Sequence, residues 1–471
     1  MHPWIRQLHL YYLPGPTTPL LEQALPALLN ACARLGHDVQ AAPTDETDVI
    51  FTTALFGEPL RWRDAPFFQA RRKFGLRQMP TVWTLLHARP HQWAGLLAHL
   101  ERALAKRPAD PADFDFPGLA PTAYQTLLEQ GRRGGPLLAA ERLLQAQALC
   151  LRLLLLVGED SIEYAHHFDL VGAVVRVEAD TKAFYDDVVW RVATAVSAEE
   201  IGRPAVVPPP IALSTWKGLT APPAMRVASL ELDRRNFFTE MVRIADLVTV
   251  PALQDAIASQ YSEGCFATWE PQLNALVATI TGSARPVDKG NITDDDLAII
   301  CGVREDGKGV LVRHVEGLRN DPPSSEGFEM WDMDAALPTV VLGPEFGGEA
   351  RVPVVRSKLH GHRGVAAYNP RYVEYAPLAP SYFRYPVTCG TQAQAQGIKA
   401  AFARAEALQN PADPRQIVFT ILPTHGVFIV EKWVPGKAPF QLIWEAMDAG
   451  HLQIESRVPQ GPDVLEPSVI T

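Results

Sequence analysis

The sequence predicts an α/β protein, with two Rossmann-like α/β domains followed by a β-rich, barrel-like C-terminal domain. Short apolar segments alternate with amphipathic helical segments in the first part of the chain, which is typical of α/β domains. The pattern changes near residue 345, where short β-type runs begin to alternate with proline and aromatic turns. We therefore expect domains at residues 1–145, 146–345 and 346–471.

The first domain is predicted from alternating strand and helix signals. A strand is expected over residues 6–12, and a helix over residues 18–35 that ends at Gly36. Two further apolar runs, residues 48–54 and 81–86, have the composition of strands that are buried on both faces. This order indicates a parallel sheet whose functional loops follow the carboxyl ends of its strands.

The second and third domains are predicted from later runs of the same kinds. The apolar strand at residues 151–157 is expected to begin the second α/β unit, with His166 and His167 on a surface helix. Residues 237–260 are predicted to be helical. In the third domain, strands are expected over residues 351–356, 364–368, 417–422 and 426–430, and a helix over residues 392–408.

Composition excludes several classes of protein. The formal net charge is −10 over 471 residues and no Lys/Arg-rich block occurs, which argues against a nucleic-acid surface. The longest strongly apolar run, residues 151–157, is too short to span a bilayer, and the N-terminus lacks the pattern of a secretory signal. The five cysteines are dispersed without CxxC spacing, which predicts free thiols in a reducing cytoplasm.

The segment from Tyr261 to Gly317 carries the polar groups most typical of a catalytic site. Glu263 lies in the sequence YSEGC, and Asp288 follows in PVDKGN. Two carboxylates at glycine-containing turns, with histidines further along the chain, are the ingredients of a divalent-cation site. The adjacent acids at residues 294–296 are expected to cap a turn.

A second set of residues is predicted to bind substrate. Arg313, His314 and Glu316 lie on a strand-like segment, where guanidinium and imidazole groups can hold an anionic or polyhydroxylated ligand. His360 and His362 in LHGHRG have the i, i+2 spacing that places two side chains on one face of a strand. That pair can bind metal or phosphate, although the intervening glycine also fits a loop.

Together these segments resemble the L-fucose and L-arabinose isomerases, which have two α/β domains and a C-terminal β-barrel-like domain. Glu263, Asp288 and His425 stand in the order in which that family presents two acids and a late histidine. The resemblance implies that these three residues bind a metal ion, Mn²⁺ or Mg²⁺, and that Glu263 and Asp288 are catalytic. The chain departs from the family's His-Cys-Gly signature, because Ile300-Cys301-Gly302 occupies its place.

The implied reaction is metal-dependent aldose–ketose isomerisation of a sugar or sugar derivative through an ene-diol. Such a reaction needs a metal to polarise the carbonyl group and a base to move a proton between adjacent carbons. An aldolase-like or epimerase-like enolisation fits the same residue types. The alternative is a non-catalytic sugar-binding or regulatory protein that keeps the isomerase fold. In either case we expect a homo-oligomer, because subunits of the resembled enzymes commonly complete each other's sites.

Overall fold

The protein is a mixed α/β molecule with several sheets. Its structure is a computed structural model, and the described residues are 7–58, 60, 80–106, 136–168 (without 137–138, 142, 146 and 151), 182–197, 204–243, 257–280 (without 263), 289–377 (without 308 and 347), 392–422 and 426–454. The chain divides into two compact units. Unit 1 comprises Met1–Ser197 and Met241–Tyr261, and unit 2 comprises Ala198–Glu240 and Ser262–Thr471.

Unit 1 is built on a six-stranded sheet. Its strands are β1 (His9–Tyr12), β2 (Asp38–Gln40), β3 (Val49–Leu55), β4 (Thr81–Ala88), β5 (Arg152–Val157) and β6 (Tyr164–Phe168). They lie in the order β2-β1-β3-β4-β5-β6, and all neighbours are parallel except β5 and β6. The parallel layer predicted from the apolar runs at 48–54 and 81–86 is therefore confirmed.

The helices of unit 1 are α1 (Pro19–Arg34), α2 (Pro90–Ala105) and α3 (Lys182–Ser197). Helix α1 begins after Thr18, whose hydroxyl accepts a hydrogen bond from the backbone N–H of Leu21 and so satisfies one of the helix's unpaired donors. Side chains of α2 such as Trp93 and Leu97 pack into a core formed with β4 and β5. Because both faces of the central strands are covered, nearly all of β3 and β5 is buried.

Two expectations for this region are corrected. The run at 151–157 does not begin a second α/β unit, because β5 completes the first sheet between β4 and β6. His166 and His167 are not on a surface helix, since they lie on β6 and are 0% and 2% exposed. The local sequence around His166 and His167 does not distinguish a paired edge strand from an exposed helix. The two differ in the contacts that they make with other parts of the chain.

Unit 2 is built on a nine-stranded sheet. Its strands are β7 (Ala205–Val206), β10 (Cys265–Glu270), β11 (Ala275–Thr279), β12 (Leu297–Val303), β13 (Val310–Arg313), β16 (Val355–Gly361), β18 (Tyr375–Pro377), β19 (Ile417–Leu422) and β20 (Gly426–Lys432). The order is β18-β19-β20-β16-β10-β11-β12-β13-β7, antiparallel throughout except for the two outermost pairs. Strands from both sides of residue 345 thus belong to one open sheet, and the described part of the chain contains no closed barrel.

Helices cover both faces of this sheet. They are α4 (Leu213–Lys217), α5 (Ala221–Asp233), α6 (Gly327–Asp332), α7 (Gln392–Ala403), α8 (Glu406–Gln409) and α9 (Gln441–Asp448). On one face, Phe266, Leu359 and Ile429 join a core with side chains of α5 and α9. Lys358 and Phe428, at the alternate strand positions, contact α6 and α7 on the other face.

Three two-stranded ladders complete the described elements. They pair β8 (Thr239–Arg243) with β9 (Ile257–Ser262), β14 (Thr339–Leu342) with β15 (Ala350–Pro353), and β17 (Val365–Tyr368) with β21 (Leu452–Ile454). The helix expected over residues 237–260 is therefore wrong at both ends of that range.

The acids at 294–296 form a 3₁₀ turn in which the carboxylate of Asp296 accepts a hydrogen bond from the backbone N–H of Thr293, so the predicted capping role is confirmed. None of the helices in the described segments has the length and apolar character needed to span a bilayer.

Candidate functional site

A buried carboxylate, Glu326, lies at the start of helix α6 against the nine-stranded sheet. Its side chain is 6% exposed. The Oε2 atom accepts hydrogen bonds from Ser324 Oγ at 2.6 Å and Ser325 Oγ at 3.0 Å, and the Cys265 thiol donates to the same oxygen at 3.7 Å. One oxygen of the carboxylate is therefore fixed by three donors, which orients the whole group.

The turn that carries Glu326 is held tightly against the sheet. The backbone N–H of Ser324 donates to the carbonyl of Thr279 at 3.0 Å, and that of Gly327 donates to the carbonyl of Ser324 at 2.9 Å. A Cβ atom on Gly327 would lie 2.8 Å from the side chain of Ile300. The turn therefore lies close to strand β12, beside the buried carboxylate.

His360 faces Glu326 from strand β16. It is paired across the sheet with Cys265, so the two side chains lie on the same face, with Cβ atoms about 5 Å apart. The Nδ1 atom lies 3.1 Å from the carbonyl oxygen of Val427, and only a protonated nitrogen can donate to a carbonyl. The remaining ring lone pair is therefore on Nε2.

Burial keeps His360 neutral. It lowers the pKa of the imidazole to about 4, an effect that the charge of Glu326 opposes and the adjacent His362 reinforces. The rings of His360 and His362 have centroids 5.4 Å apart. A neutral imidazole whose Nδ1 donates to a backbone carbonyl is the form in which histidine binds metal ions through Nε2.

Two further acidic groups near Glu326 hold protons. Glu329 lies one helical turn further along α6 and is 1% exposed, and neither carboxyl oxygen has a hydrogen-bond partner among the described residues. Burial, with a contribution from the charge of Glu326, raises its pKa well above the usual value. The same two causes raise the pKa of the Cys265 thiol well above its usual value. Burial beside Glu326 thus favours the protonated, neutral forms of Glu329 and Cys265.

The three metal ligands expected from the sequence, Glu263, Asp288 and His425, lie outside the described residues. Gly264 and Gly426, which follow Glu263 and His425 in the chain, are described, and both contact the strand of His360. An added Cβ on Gly264 would lie 2.4 Å from the carbonyl oxygen of His360, and one on Gly426 would lie 2.7 Å from the Cα of His362. The backbone directly after Glu263 and directly after His425 therefore lies close to the two histidines.

Within the described ranges, no three His, Cys, Asp or Glu side chains form a group that could hold a metal ion. His360 and His362 are the pair of imidazoles in this region. Any metal bound here needs a further ligand from the residues that lie outside the described ranges, of which Glu263, Asp288 and His425 are the ones expected from the sequence.

The substrate-binding residues expected from the sequence fall into two groups. His360 and His362 lie in the Glu326 cluster. Arg313 and His314 instead line a pocket of about 380 Å³, and Glu316 is exposed on the turn that follows. Strand β13 is four positions from β16 in the sheet, roughly 19 Å at the usual strand spacing. The two groups therefore do not form one cleft.

The residues that sequence analysis missed are those around the central carboxylate. They are Cys265, Ser324, Ser325, Glu326 and Glu329. The local signal is the sequence PPSSEG, in which two hydroxyls directly precede an acid. The same pattern is common at the start of ordinary helices. What distinguishes this one is burial against β10 and β16, which depends on pairings far apart in the chain.

Comparison with models of known protein families, with curated proteins and with solved structures finds no match. The resemblance to the L-fucose and L-arabinose isomerases stays a prediction from the sequence. A function for the chain must therefore be argued from the chemistry of the Glu326 cluster.

Proposed function

We propose that the protein is a metal-dependent enzyme that enolises a polyhydroxylated carbonyl compound, a sugar or sugar derivative, in the manner of an aldose–ketose isomerase. The observation that carries the proposal is the buried Glu326 carboxylate, anchored through one oxygen by Ser324, Ser325 and Cys265 and facing the neutral imidazole of His360. Buried, oriented acids of this kind are typical of sites that move protons.

Glu326 acts as the base in this proposal. It removes the proton from the carbon next to the substrate carbonyl and returns it to the former carbonyl carbon. The proton of the neighbouring hydroxyl moves to the former carbonyl oxygen, through an ene-diol, so that the aldose becomes a ketose with no net loss of atoms. Because Oε2 is held by three donors, the carboxylate does not have to reorient during the transfer. An aldol addition or an epimerisation begins with the same kind of proton transfer.

The proposal includes a divalent metal ion, whose ligand set the described residues alone do not complete. His360 and His362 would supply imidazole ligands, and His425, Glu263 and Asp288 remain the proposed additional ligands. Support comes from Gly264 and Gly426, whose backbones approach β16 next to His360 and His362. A bound ion would polarise the substrate carbonyl and hydroxyl, and the imidazoles favour Mn²⁺ over Mg²⁺. The proposal retains the predictions from the sequence that the enzyme is cytoplasmic and a homo-oligomer.

The metal content of the purified protein tests the proposal. We expect about one equivalent of Mn²⁺ or a related ion per chain, lost in the double variant H360A/H362A and retained in R304A. Arg304 is a suitable control because it pairs with Asp306 on the exposed turn between β12 and β13. A screen of aldoses and ketoses with added Mn²⁺ should then give turnover in the wild-type protein. A metal-free wild-type protein that binds sugars without converting them would support the non-catalytic alternative instead.

A further inference from the structure

We propose that His167 is a pH-sensitive switch in unit 1, whose protonation releases strand β6 from its neighbour β5. His167 lies on β6, which is the last strand in the order of the six-stranded sheet and, in the described part of the chain, pairs only with β5. A strand held by one neighbour can open locally while the rest of its sheet stays folded. The switch is separate from the Glu326 site, whose residues belong to unit 2.

The imidazole of His167 is buried without a hydrogen bond. The residue is 2% exposed, and neither ring nitrogen has a partner among the described residues. The neutral ring already leaves one donor and one acceptor unsatisfied. A protonated ring would bury two unsatisfied donors and a positive charge, which costs considerably more free energy. The closed position of β6 therefore favours the neutral ring.

The charged groups that act on His167 are two guanidinium groups. Burial, followed by the charges of Arg191 on α3 and Arg152 on β5, holds the pKa of His167 well below its usual value of 6.5. On α3, the carboxylate of Asp187 accepts a hydrogen bond from Arg191 Nε at 2.9 Å, which offsets part of the charge of Arg191. No carboxylate of the described residues forms an ion pair with His167 itself. A proton on His167 would therefore face like charges from two sides.

Trp83 on β4 does not compensate for a charge on His167. The two rings meet edge to face, with centroids 5.3 Å apart. The indole N–H is a donor only, so it cannot accept a hydrogen bond from a protonated imidazole. An aromatic ring can attract a cation, but the guanidinium of Arg152 already lies 5.2 Å from the centroid of Trp83. A second cation beside this ring would repel the first.

The sign of the pH dependence follows from linkage. In the open state the imidazole has its usual pKa of 6.5, whereas the closed state keeps it neutral. The contribution of His167 to the stability of the closed state is therefore full above about pH 6.5 and is lost as the pH falls below that value. At pH 5.0 an imidazole of this pKa is protonated by about thirty to one, so protonation should make opening about thirtyfold more frequent.

The neighbouring His166 faces the other side of β6, where its ring packs against Trp93 and Tyr164. Opening of β6 changes the surroundings of both histidines. Variants of His167 are therefore needed to isolate its contribution. H167Q keeps a polar side chain and H167L an apolar one, and neither can be protonated.

Hydrogen exchange of the full-length protein at pH 7.5 and pH 5.0, measured by mass spectrometry, tests the inference. Protection factors corrected for the intrinsic pH dependence of exchange should fall by at least about thirtyfold for peptides covering β6 in the wild type. The decrease should be about thirtyfold smaller in H167Q and in H167L. The matched control H91Q, at an exposed histidine of α2, should behave as the wild type does.

The wild-type protein also provides an internal control. Peptides covering β3 should keep their protection at pH 5.0, because the switch opens only the β6 side of the sheet. Equal loss of protection in β3 and β6 would indicate global unfolding by acid and would overturn the local switch. The inference also fails if β6 in the wild type is equally protected at both pH values, or if H167Q and H167L lose as much protection as the wild type.

A second measurement needs no variant that folds. In an NMR titration of the wild-type imidazole groups, His167 should stay neutral in the closed protein as the pH falls from 7.5 to 5.0. A ring that titrates near pH 6.5 while β6 is still protected from exchange would overturn the proposal.

Discussion

The hydroxyl of Ser324 makes the shortest of the three contacts to Glu326 Oε2, at 2.6 Å, and Ser325 follows at 3.0 Å. Hydrogen bonds to a charged acceptor contribute about 1.5 to 3 kcal/mol each. If Glu326 is a base whose orientation matters, the loss of the shorter bond should cost more than the loss of the longer one. Replacing the two serines one at a time therefore tests how much each hydrogen bond to Glu326 Oε2 contributes to catalysis.

We predict that S324A lowers the rate of proton exchange on a substrate by about tenfold or more, since 1.4 kcal/mol corresponds to tenfold in rate. S325A should have a smaller effect, and S214A, which alters an exposed serine of α4, should have none. The measurement is the initial rate at saturating substrate with metal content checked in each variant. Equal rates in S324A and the wild type would show that the anchoring of Oε2 has no role in catalysis.

For individual residues, His360 and Glu326 show how much of the candidate site could be predicted from the sequence. The i, i+2 spacing of the histidines was visible locally, but the intervening glycine favoured a loop, whereas His360 lies on strand β16. The partner Cys265 is 95 positions away along the chain and meets His360 only through strand pairing. Nothing in the local sequence of either residue specifies that pairing, so the anchored carboxylate between them could not be predicted.

At the scale of elements, strand β20 is joined to helix α9 by a buried acid. Glu431 accepts hydrogen bonds from the backbone N–H groups of Phe440 at 2.9 Å and Leu442 at 3.1 Å, at the start of α9. Burial raises its pKa to about 7 from the usual 4.5, against the opposing effect of these donors and of Arg356. The folded protein therefore binds a proton more tightly here than the unfolded chain does.

The sign of the resulting pH dependence follows from linkage. The contribution of Glu431 to stability is full below about pH 4.5 and is lost as the pH rises through about 7, a change on the order of 3 kcal/mol. We predict that E431Q, which cannot ionise, gains that amount relative to the wild type between pH 4.5 and pH 8. Urea unfolding at several pH values measures the difference, with the exposed E406Q as control. A pH-independent difference for E431Q would contradict the assignment.

The pairing of strands β20 and β16 depends on a glycine. Gly426 has φ of +153°, and an added Cβ would lie 2.0 Å from the carbonyl oxygen of Gly361. Gly348 has nearly the same φ, +151°, but nothing within 4 Å of an added Cβ. A side chain at Gly348 or at Gly426 would cause the same backbone strain. Only the one at Gly426 would also clash with neighbouring atoms.

We predict that G426A is destabilised by about 3 kcal/mol or more, and G348A by about 1 kcal/mol, the cost of the backbone conformation alone. Chemical denaturation of both variants provides the comparison. Because the clash is with the backbone beside His362, G426A should also lose metal. Equal stability of the two variants would mean that the strands can separate at Gly426 without cost.

Elements were predictable where burial is uniform along them. Strands β3 and β4 were expected within two residues, because fully buried strands are continuously apolar. Residues 237–260 were expected to be helical from the spacing of their apolar residues, yet strands lie at both ends. Local spacing cannot distinguish a helix from strands whose pairing is set by contacts elsewhere.

At the scale of the molecule, the α/β class is confirmed and the barrel is not found in the described residues. The expected boundary near residue 345 falls inside a region whose strands join one nine-stranded sheet, since β16 pairs with β10 on one side and β20 on the other. The change in sequence pattern at that point is real. The strands of the unit 2 sheet are no shorter after that point than before it, and the division into three domains stays a prediction.

The central claim is that Glu326 transfers a proton on a sugar-type substrate, and deuterium incorporation from D₂O measures that transfer directly. Using an aldose or ketose that the metal-supplemented protein converts, NMR should show deuterium at the carbon next to the carbonyl with the wild-type protein. E326Q should lose the exchange by at least a hundredfold while keeping its metal, and E305Q, an exposed acid on the β12–β13 turn, should exchange normally. Exchange in E326Q at the wild-type rate would contradict the account.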